Sequence, residues 1–226
     1  MRVVAIDGPA GSGKSTTARA VADRLGFAHL DSGALYRAMT LAGLDNEVPL
    51  EGQRLVALAR ALPVRLALVG NEFRPEVAGA DVSEAVRRAD VTARVSAVSA
   101  LPPVRDLVNG LLRAAAAEHP QGVVVDGRDI GTVVFPETPV KVFLTALPEA
   151  RARRRLTQEG RALDGEALKA EAERLAQRDA ADARRAVAPL RAAPDAVVLD
   201  TTGLTFNQQV DRIVEQARNV FGGGPV

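Results

Sequence analysis

Short apolar runs recur along the chain at residues 3–6, 123–125, 140–144 and 196–199, with a weaker one at 28–30, and helix-length amphipathic stretches lie between them. A run of three to five apolar residues bounded by polar or turn residues is the pattern of a strand buried on both faces. The alternation therefore predicts an α/β domain with a mostly parallel sheet covered by helices on both sides.

Two stretches break the alternation. Between Leu62 and Ala80, the β-like pieces Val64–Val69 and Glu76–Ala78 flank the turn signal Gly70-Asn71, which predicts a small antiparallel insert. Two short helical patterns follow, with Asp81 and Asp90 as their expected N-caps. Residues 148–189 read as a charged helical hairpin, broken near Gly160 and Gly165 and ended by the approach to Pro189. Gly222-Gly223-Gly224-Pro225 read as a frayed tail.

A chain of 226 residues is one domain with room for a continuous core. The absence of cysteine excludes a disulfide scaffold, thiolate zinc sites and cysteine nucleophiles. His29 and His119 are far apart and lack ligand-like spacing, so each is expected to be an ordinary surface or loop histidine. No run of 18 apolar residues offers a membrane span, and Met1-Arg2 leads straight into Val3 without a signal-peptide pattern. A formal net charge of +1 argues against a generally basic nucleic-acid surface. The expectation is a soluble cytoplasmic monomer with no membrane or nucleic-acid partner. All but three of the 29 basic residues are arginine, the exceptions being Lys14, Lys141 and Lys169. Arginine's planar fork suits phosphate, but only position distinguishes that use from a compositional bias.

The most specific motif is Gly8-Pro9-Ala10-Gly11-Ser12-Gly13-Lys14-Ser15, which follows the first apolar run and opens a helical pattern. Glycines let successive N–H groups turn toward phosphate oxygens, and the helix N-terminus adds partial positive charge. Lys14 then reaches the β- and γ-phosphates of a bound nucleotide, and the Ser15 hydroxyl ligates Mg²⁺; Thr16 completes the ATP-binding segment Gly8–Thr16. No asparagine precedes a lysine, so the base-reading motif of GTPases is absent. Asp31-Ser32-Gly33-Ala34-Leu35-Tyr36-Arg37 and Asp126-Gly127-Arg128-Asp129 follow two other strands. In an open α/β sheet both would face the phosphate loop. Taken singly, each segment is better read as structure, with Asp31 and Asp126 as loop caps; beside a phosphate loop the site reading prevails. Arg178, Asp182 and Arg185 stand at helical spacing, and Arg151, Arg153, Arg154 and Arg155 crowd an earlier helix, as a solvated face or an arginine-rich lid would.

Together, Asp7–Lys14, Asp31–Arg37, the block Asp126–Pro136 and Arg178-Asp179-x-x-Asp182-x-x-Arg185-x-x-Ala188-Pro189-Leu190 resemble bacterial cytidylate kinases, over nearly the whole chain from Asp7 to about Leu199. The resemblance implies an α/β, three-layer fold of the P-loop NTPase type with a five-stranded parallel sheet. It further implies a core of residues 1–60, 101–148 and 186–226, an antiparallel nucleoside-monophosphate-binding insert at 61–100 and a helical lid at 149–185. By the same resemblance, Ser96, Arg105 and Asp129 meet the cytosine. Arg37, Arg128 and Arg185 hold the acceptor phosphate, with Ser32 and Tyr36 in the same pocket. Arg178 and Asp182 lie by the ribose, and Arg154 faces the ATP phosphates. Lys14, Arg128, Arg154 and Arg185 would be the catalytic cations. Arg184 precedes Arg185 where relatives often carry a small polar residue or asparagine, so either arginine is a candidate for the phosphate contact.

The implied reaction is ATP with CMP or dCMP giving ADP with CDP or dCDP, assisted by Mg²⁺. No general base is needed, because a phosphate monoester with a second pKa of about 6 is largely dianionic at neutral pH. A carboxylate such as Asp129 accepts from the cytosine amino group but would oppose the oxygen that uracil carries there, which disfavours UMP. The rivals are another small-acceptor kinase of adenylate or shikimate type, and a non-kinase NTP-binding switch.

Overall fold

The computed structural model describes residues 1–222, so most of the expected frayed tail lies outside the described residues. The first apolar run forms β1 (Val3–Asp7), and the helical pattern after the glycines forms α1 (Lys14–Leu25). The chain continues through β2 (Ala28–Asp31), α2 (Ser32–Asp45) and α3 (Gly52–Ala61). In the insert, β3 (Val64–Val69), β4 (Glu72–Val77) and the short β5 (Ala80–Asp81) precede a 3-10 turn at Ala85–Arg87 and α4 (Ala89–Val98). α5 (Pro102–Glu118) returns the chain to β6 (Val123–Gly127), which is followed by a π-helical turn at Ile130–Val134 and β7 (Val140–Thr145). The helical hairpin is α6 (Pro148–Gln158) and α7 (Gly165–Ala183), and β8 (Val197–Asp200) and α8 (Phe206–Phe221) close the fold.

The strand order is β3-β4-β2-β6-β1-β7-β8, with β5 paired to β4. The segment β2-β6-β1-β7-β8 is parallel throughout, which makes the five-stranded core expected from the resemblance. β1 lies inside it, with Val4 opposite Val124 on one side and Val140 on the other. Alternate side chains of a strand point to opposite faces, and β1 divides accordingly. Val3 and Ala5 enter a core with residues of α2, α3 and α5, whereas Val4 and Ile6 enter a second core with α1 and α8. Helices on both faces explain why every residue of β1 is buried and why it carries no polar alternation.

The insert is antiparallel, as its turn signal predicts, but it extends the main sheet: Glu72 of β4 bridges His29 of β2 in parallel register. β4 begins at Glu72, ahead of the expected start at Glu76. Pro75 lies inside it, and proline in an apolar run reads as a strand boundary. Val86, Val91 and Val95 of the insert share one core with Leu35 and Met39 of α2, so the insert has no separate core.

Several local expectations are corrected. Asp81 caps no helix; its carboxylate accepts from Ser83 N at 2.8 Å. Asp90 lies in the first turn of α4, where Arg88 takes its carboxylate, and Arg88 itself is the N-cap residue. The break in the hairpin spans residues 159–164, and α7 is capped by Asp164, which accepts from Ala167 N at 2.8 Å. α7 ends at Ala183, so Arg185 lies beyond the helix and not on its face. His29 is no surface residue: it is 2% exposed on β2. His119 occupies the C-cap of α5, in keeping with a loop histidine. No helix among the described residues is long and apolar enough to cross a membrane.

Because insert and core share their apolar cluster, they should unfold together. Leu112→Ala, at a fully buried position of α5, should lower stability by about 2–5 kcal/mol. In urea, fluorescence labels placed on the insert and on the core should report one coincident transition; two separated transitions would contradict the shared core.

Candidate active site

The phosphate loop leaves β1 in contact with the β7 backbone. A Cβ at Gly8 would stand 2.2 Å from the Leu144 carbonyl oxygen, so no larger residue fits. Gly13 precedes α1 at φ 87°, a left-handed conformation natural to glycine, and there turns the chain into the helix. Lys14 folds back over the loop and donates to the Pro9 carbonyl at 2.7 Å. Burial lowers its pKa well below the usual lysine value, and the charge of Arg128 lowers it further. An anion placed beside Lys14 would oppose both effects by favouring the charged ammonium. Ser12 is fully buried under the loop, within 3.5 Å of the Lys14 ammonium.

Ser15 donates to Asp126 Oδ2 at 2.6 Å, and the other oxygen of this carboxylate lies 2.9 Å from His29 Nε2. Asp126 stands in β6 and is 2% exposed. Burial raises its pKa, but the hydrogen bond and charge of His29, with Ser15 and Lys14, leave it below the usual carboxylate value. Among the described residues no group of three or more Asp, Glu, His or Cys side chains is placed to hold a metal ion. Mg²⁺ is commonly held by one or two protein oxygens together with substrate phosphates, a role that Ser15 and Asp126 fit.

A cavity of about 590 Å³ extends from this loop to the insert. It opens at the carboxyl ends of β1, β2 and β6, as an open α/β sheet requires. At its far end Arg105, 1% exposed, pairs with Asp129, donates to Ser99 O at 2.9 Å and stacks 5.6 Å from the centre of the Tyr36 ring. Asp182 draws three side chains together: Arg128 Nε donates to it at 3.0 Å, Ser96 Oγ at 3.3 Å, and Arg185 forms an ion pair. Arg185 also reaches Ser99 Oγ at 2.9 Å. Arg37 donates to Thr92 Oγ1 at 2.8 Å, and Ser32 donates to Asp126 O at 2.7 Å. Arg178 lines the cavity with its buried Nε unpartnered; burial, then the charge of Arg128, push its pKa down to about 10.

Of the candidate residues, Ala10, Gly11, Gly13, Lys14, Ser15 and Thr16 line the cavity on the loop side. Ser32, Tyr36, Arg37, Arg105, Arg128, Asp129, Arg178, Asp182 and Arg185 line the remainder. Gly8, Pro9 and Ser12 do not line the cavity, although Pro9 O and Ser12 Oγ meet the Lys14 ammonium, and Ser96 reaches the site through Asp182. Of the two neighbouring arginines, Arg185 lines the cavity while Arg184 is exposed at the end of α7. Arg154 lines the cavity but is held by Thr201 O at 2.7 Å and Ser12 O at 3.3 Å. Asp31, Asp126 and Arg155, which the sequence placed in site-facing segments without a role of their own, also line the cavity, as do Gln158, Arg174 and Phe206, which it did not single out. Asp31 is the N-cap of α2, and its carboxylate accepts from Gly33 N at 2.8 Å. Phe206 is a large aromatic left exposed at the start of α8.

Asp7, at the end of β1, accepts from Ile130 N and Gly131 N, each at 2.8 Å, and so anchors the turn that carries Asp129. Burial raises its pKa from 3.8 to about 6 against the pull of those two bonds. The folded chain therefore holds this proton more tightly than the unfolded chain, and the stability that it contributes below pH 3.8 is lost as pH rises through about 6. A carbon-13 titration of the Asp7 carboxyl should give a midpoint near 6; a midpoint near 3.8 would show that the two N–H bonds outweigh burial.

The cytidylate kinase family model matches residues 4–219. The cytidylate kinase of Streptomyces griseus is 47% identical over 94% of this chain and 90% of its own length. That of Pseudomonas fluorescens is 46% identical over 95% and 94%, and that of Mycobacterium avium 47% identical over 96% and 95%. Among solved structures, the shikimate kinase of Bacteroides thetaiotaomicron aligns with 97% of this chain and 98% of its own at 16% identity and a TM-score of 0.48, a likeness too loose to carry an argument. The match of the family model over nearly the whole chain, with relatives of such identity along it, places this protein in the cytidylate kinase family.

Proposed function

We propose that this chain transfers the γ-phosphate of ATP to CMP or dCMP, giving ADP and CDP or dCDP. The observation that carries the reading is a single cavity with the Lys14 loop at one end and the buried Arg105–Asp129 pair at the other. Asp129 offers a carboxylate acceptor to the cytosine amino group, and Arg105 offers donors to the adjacent N3 and O2 edge. Their mutual ion pair fixes both orientations before substrate arrives. Between base and loop stand Arg37, Arg128, Arg178 and Arg185, where the acceptor phosphate and the transferring group would lie.

The acceptor phosphate is its own nucleophile, so the protein's work is positioning and charge neutralisation. Lys14 is buried and the arginines are partly so, and a phosphate meeting them gains more than it would in water. Bound Mg²⁺, held by Ser15 and Asp126 with the phosphate oxygens, would supply further neutralisation of charge. In this reading residues 61–100 hold the acceptor nucleotide, 149–185 form a lid that excludes water, and the remaining residues are the core. The protein acts as a cytoplasmic monomer. An acceptor site of adenylate or shikimate type would leave the Arg105–Asp129 pair without a task.

An ADP-release assay with ATP and CMP, dCMP, UMP, AMP or shikimate tests the reading. Turnover with CMP or dCMP well above the others is expected; preference for AMP or shikimate, or ATP hydrolysis indifferent to acceptor, would overturn it. Lys14→Ala should lower kcat by at least about 100-fold. Asp129→Asn replaces an acceptor oxygen with an amide donor, so it should lower kcat/KM for CMP by about 10- to 100-fold while sparing or improving UMP. Equal losses on both would mean that Asp129 does not read the base.

A further inference from the structure

Two side chains of the helical hairpin, neither with a role in the reading above, close on one residue of the phosphate loop. Asp179 on α7 accepts from Ala10 N at 2.9 Å, and Arg151 on α6 donates to Ala10 O at 3.0 Å. Arg151 and Asp179 are themselves ion-paired, so the two helices hold both polar groups of Ala10 in one closed ring. Arg151 is 7% exposed. Around the ring, Ala10, Ala152 and Leu175 form their own apolar cluster. The approach is close: a Cβ on Gly11, which sits at φ 73°, would meet Arg151 Cβ and O and Leu175 Cδ1 at 3.2 Å.

We propose that Arg151 and Asp179 are positioning residues for the phosphate-donor site, holding the Ala10 peptide and through it the curvature of the loop from Gly8 to Gly13. The inference rests on the reading of that loop as the ATP site. Each Asp179 oxygen has its own task, one on the Ala10 N–H and one on Arg151, and Asp179 lines no part of the cavity. Releasing the ring would strand a buried guanidinium and a loop N–H. The base of the hairpin therefore moves with the loop, and closure over substrate is confined to the part beyond the ring, around the break at 159–164. This narrows the moving lid within residues 149–185.

The test is binding of ATP with Mg²⁺ by isothermal titration calorimetry, which needs no acceptor, together with steady-state kinetics. Asp179→Ala and Arg151→Ala should weaken ATP binding about 10-fold, the equivalent of about 1.4 kcal/mol, and raise KM for ATP while KM for CMP stays within about two-fold. Asp179→Asn keeps an acceptor for Ala10 N–H and should recover part of the loss, which a general loss of stability would not produce. Hydrogen exchange on the native chain gives a second measurement that needs no variant: the Ala10 amide should be protected far beyond those of residues 159–164. Unchanged ATP affinity in the variants, equal losses for ATP and CMP, or an unprotected Ala10 amide would overturn the inference. Weakened ATP binding in a chain inactive on CMP would keep it while sinking the acceptor reading, and a native chain that binds no ATP would sink both.

Discussion

Buried positive charge has to be held in place by negative charge, and in this protein a few aspartates do that for the whole site. A lysine or arginine out of water is costly unless a carboxylate faces it. Asp126 holds His29 and Ser15, Asp129 holds Arg105, Asp182 shares itself between Arg128 and Arg185, and Asp179 holds Arg151. Each pair joins elements remote in sequence or fixes the end of one, so the charge arrangement also sets how insert, sheet and hairpin meet. The carboxylates do not satisfy every cation. Arg178 keeps an unpartnered Nε, and the Lys14 ammonium rests on a carbonyl and a hydroxyl. That residual positive potential makes the cavity a place for phosphate.

The sheet makes this possible by delivering its strand ends to one edge of the molecule. β1 is buried on both faces, and its polar end, Asp7, turns to the backbone of the segment after β6. The phosphate loop leaves that end against Leu144 of β7. Two neighbouring strands thus support the loop while the next segment carries Asp129, which lines the cavity beside Arg105. The insert joins the same sheet through Glu72 and His29, so the insert and the phosphate loop rest on one sheet. A site that works by positioning needs such a support more than it needs reactive groups.

The parts legible in the sequence are those whose signal is local. Apolar runs located the five parallel strands, with boundaries off by one or two residues, because burial on both faces leaves no polar positions in such strands. The loop from Gly8 to Ser15 was legible because its glycines, its lysine and its place between strand and helix are contiguous. The segments around Asp31 and Asp126 were visible as motifs, but each alone was better explained as structure, and Asp31 does serve as a cap. Local signals also misled: Pro75 hid the first half of β4, and Arg88 took the carboxylate that would have made Asp90 a cap.

What the sequence by itself determined is the class of fold, the phosphate loop and the family, since each rests on neighbours in the chain. Tertiary structure alone decided the pairings. His29 looked like an ordinary histidine until β2 and β6 placed it beside Asp126, 97 positions away. Arg151 was one of several arginines on a charged helix, and only folding set it against Ala10, 141 positions away. It likewise set Arg184 and Arg185 apart, because α7 stops at Ala183 and only the second lines the cavity. Charge and hydrogen bonding act over a few ångströms of space and carry no record of separation along the chain, so the partners of a buried polar group become legible only once the apolar pattern has brought them together.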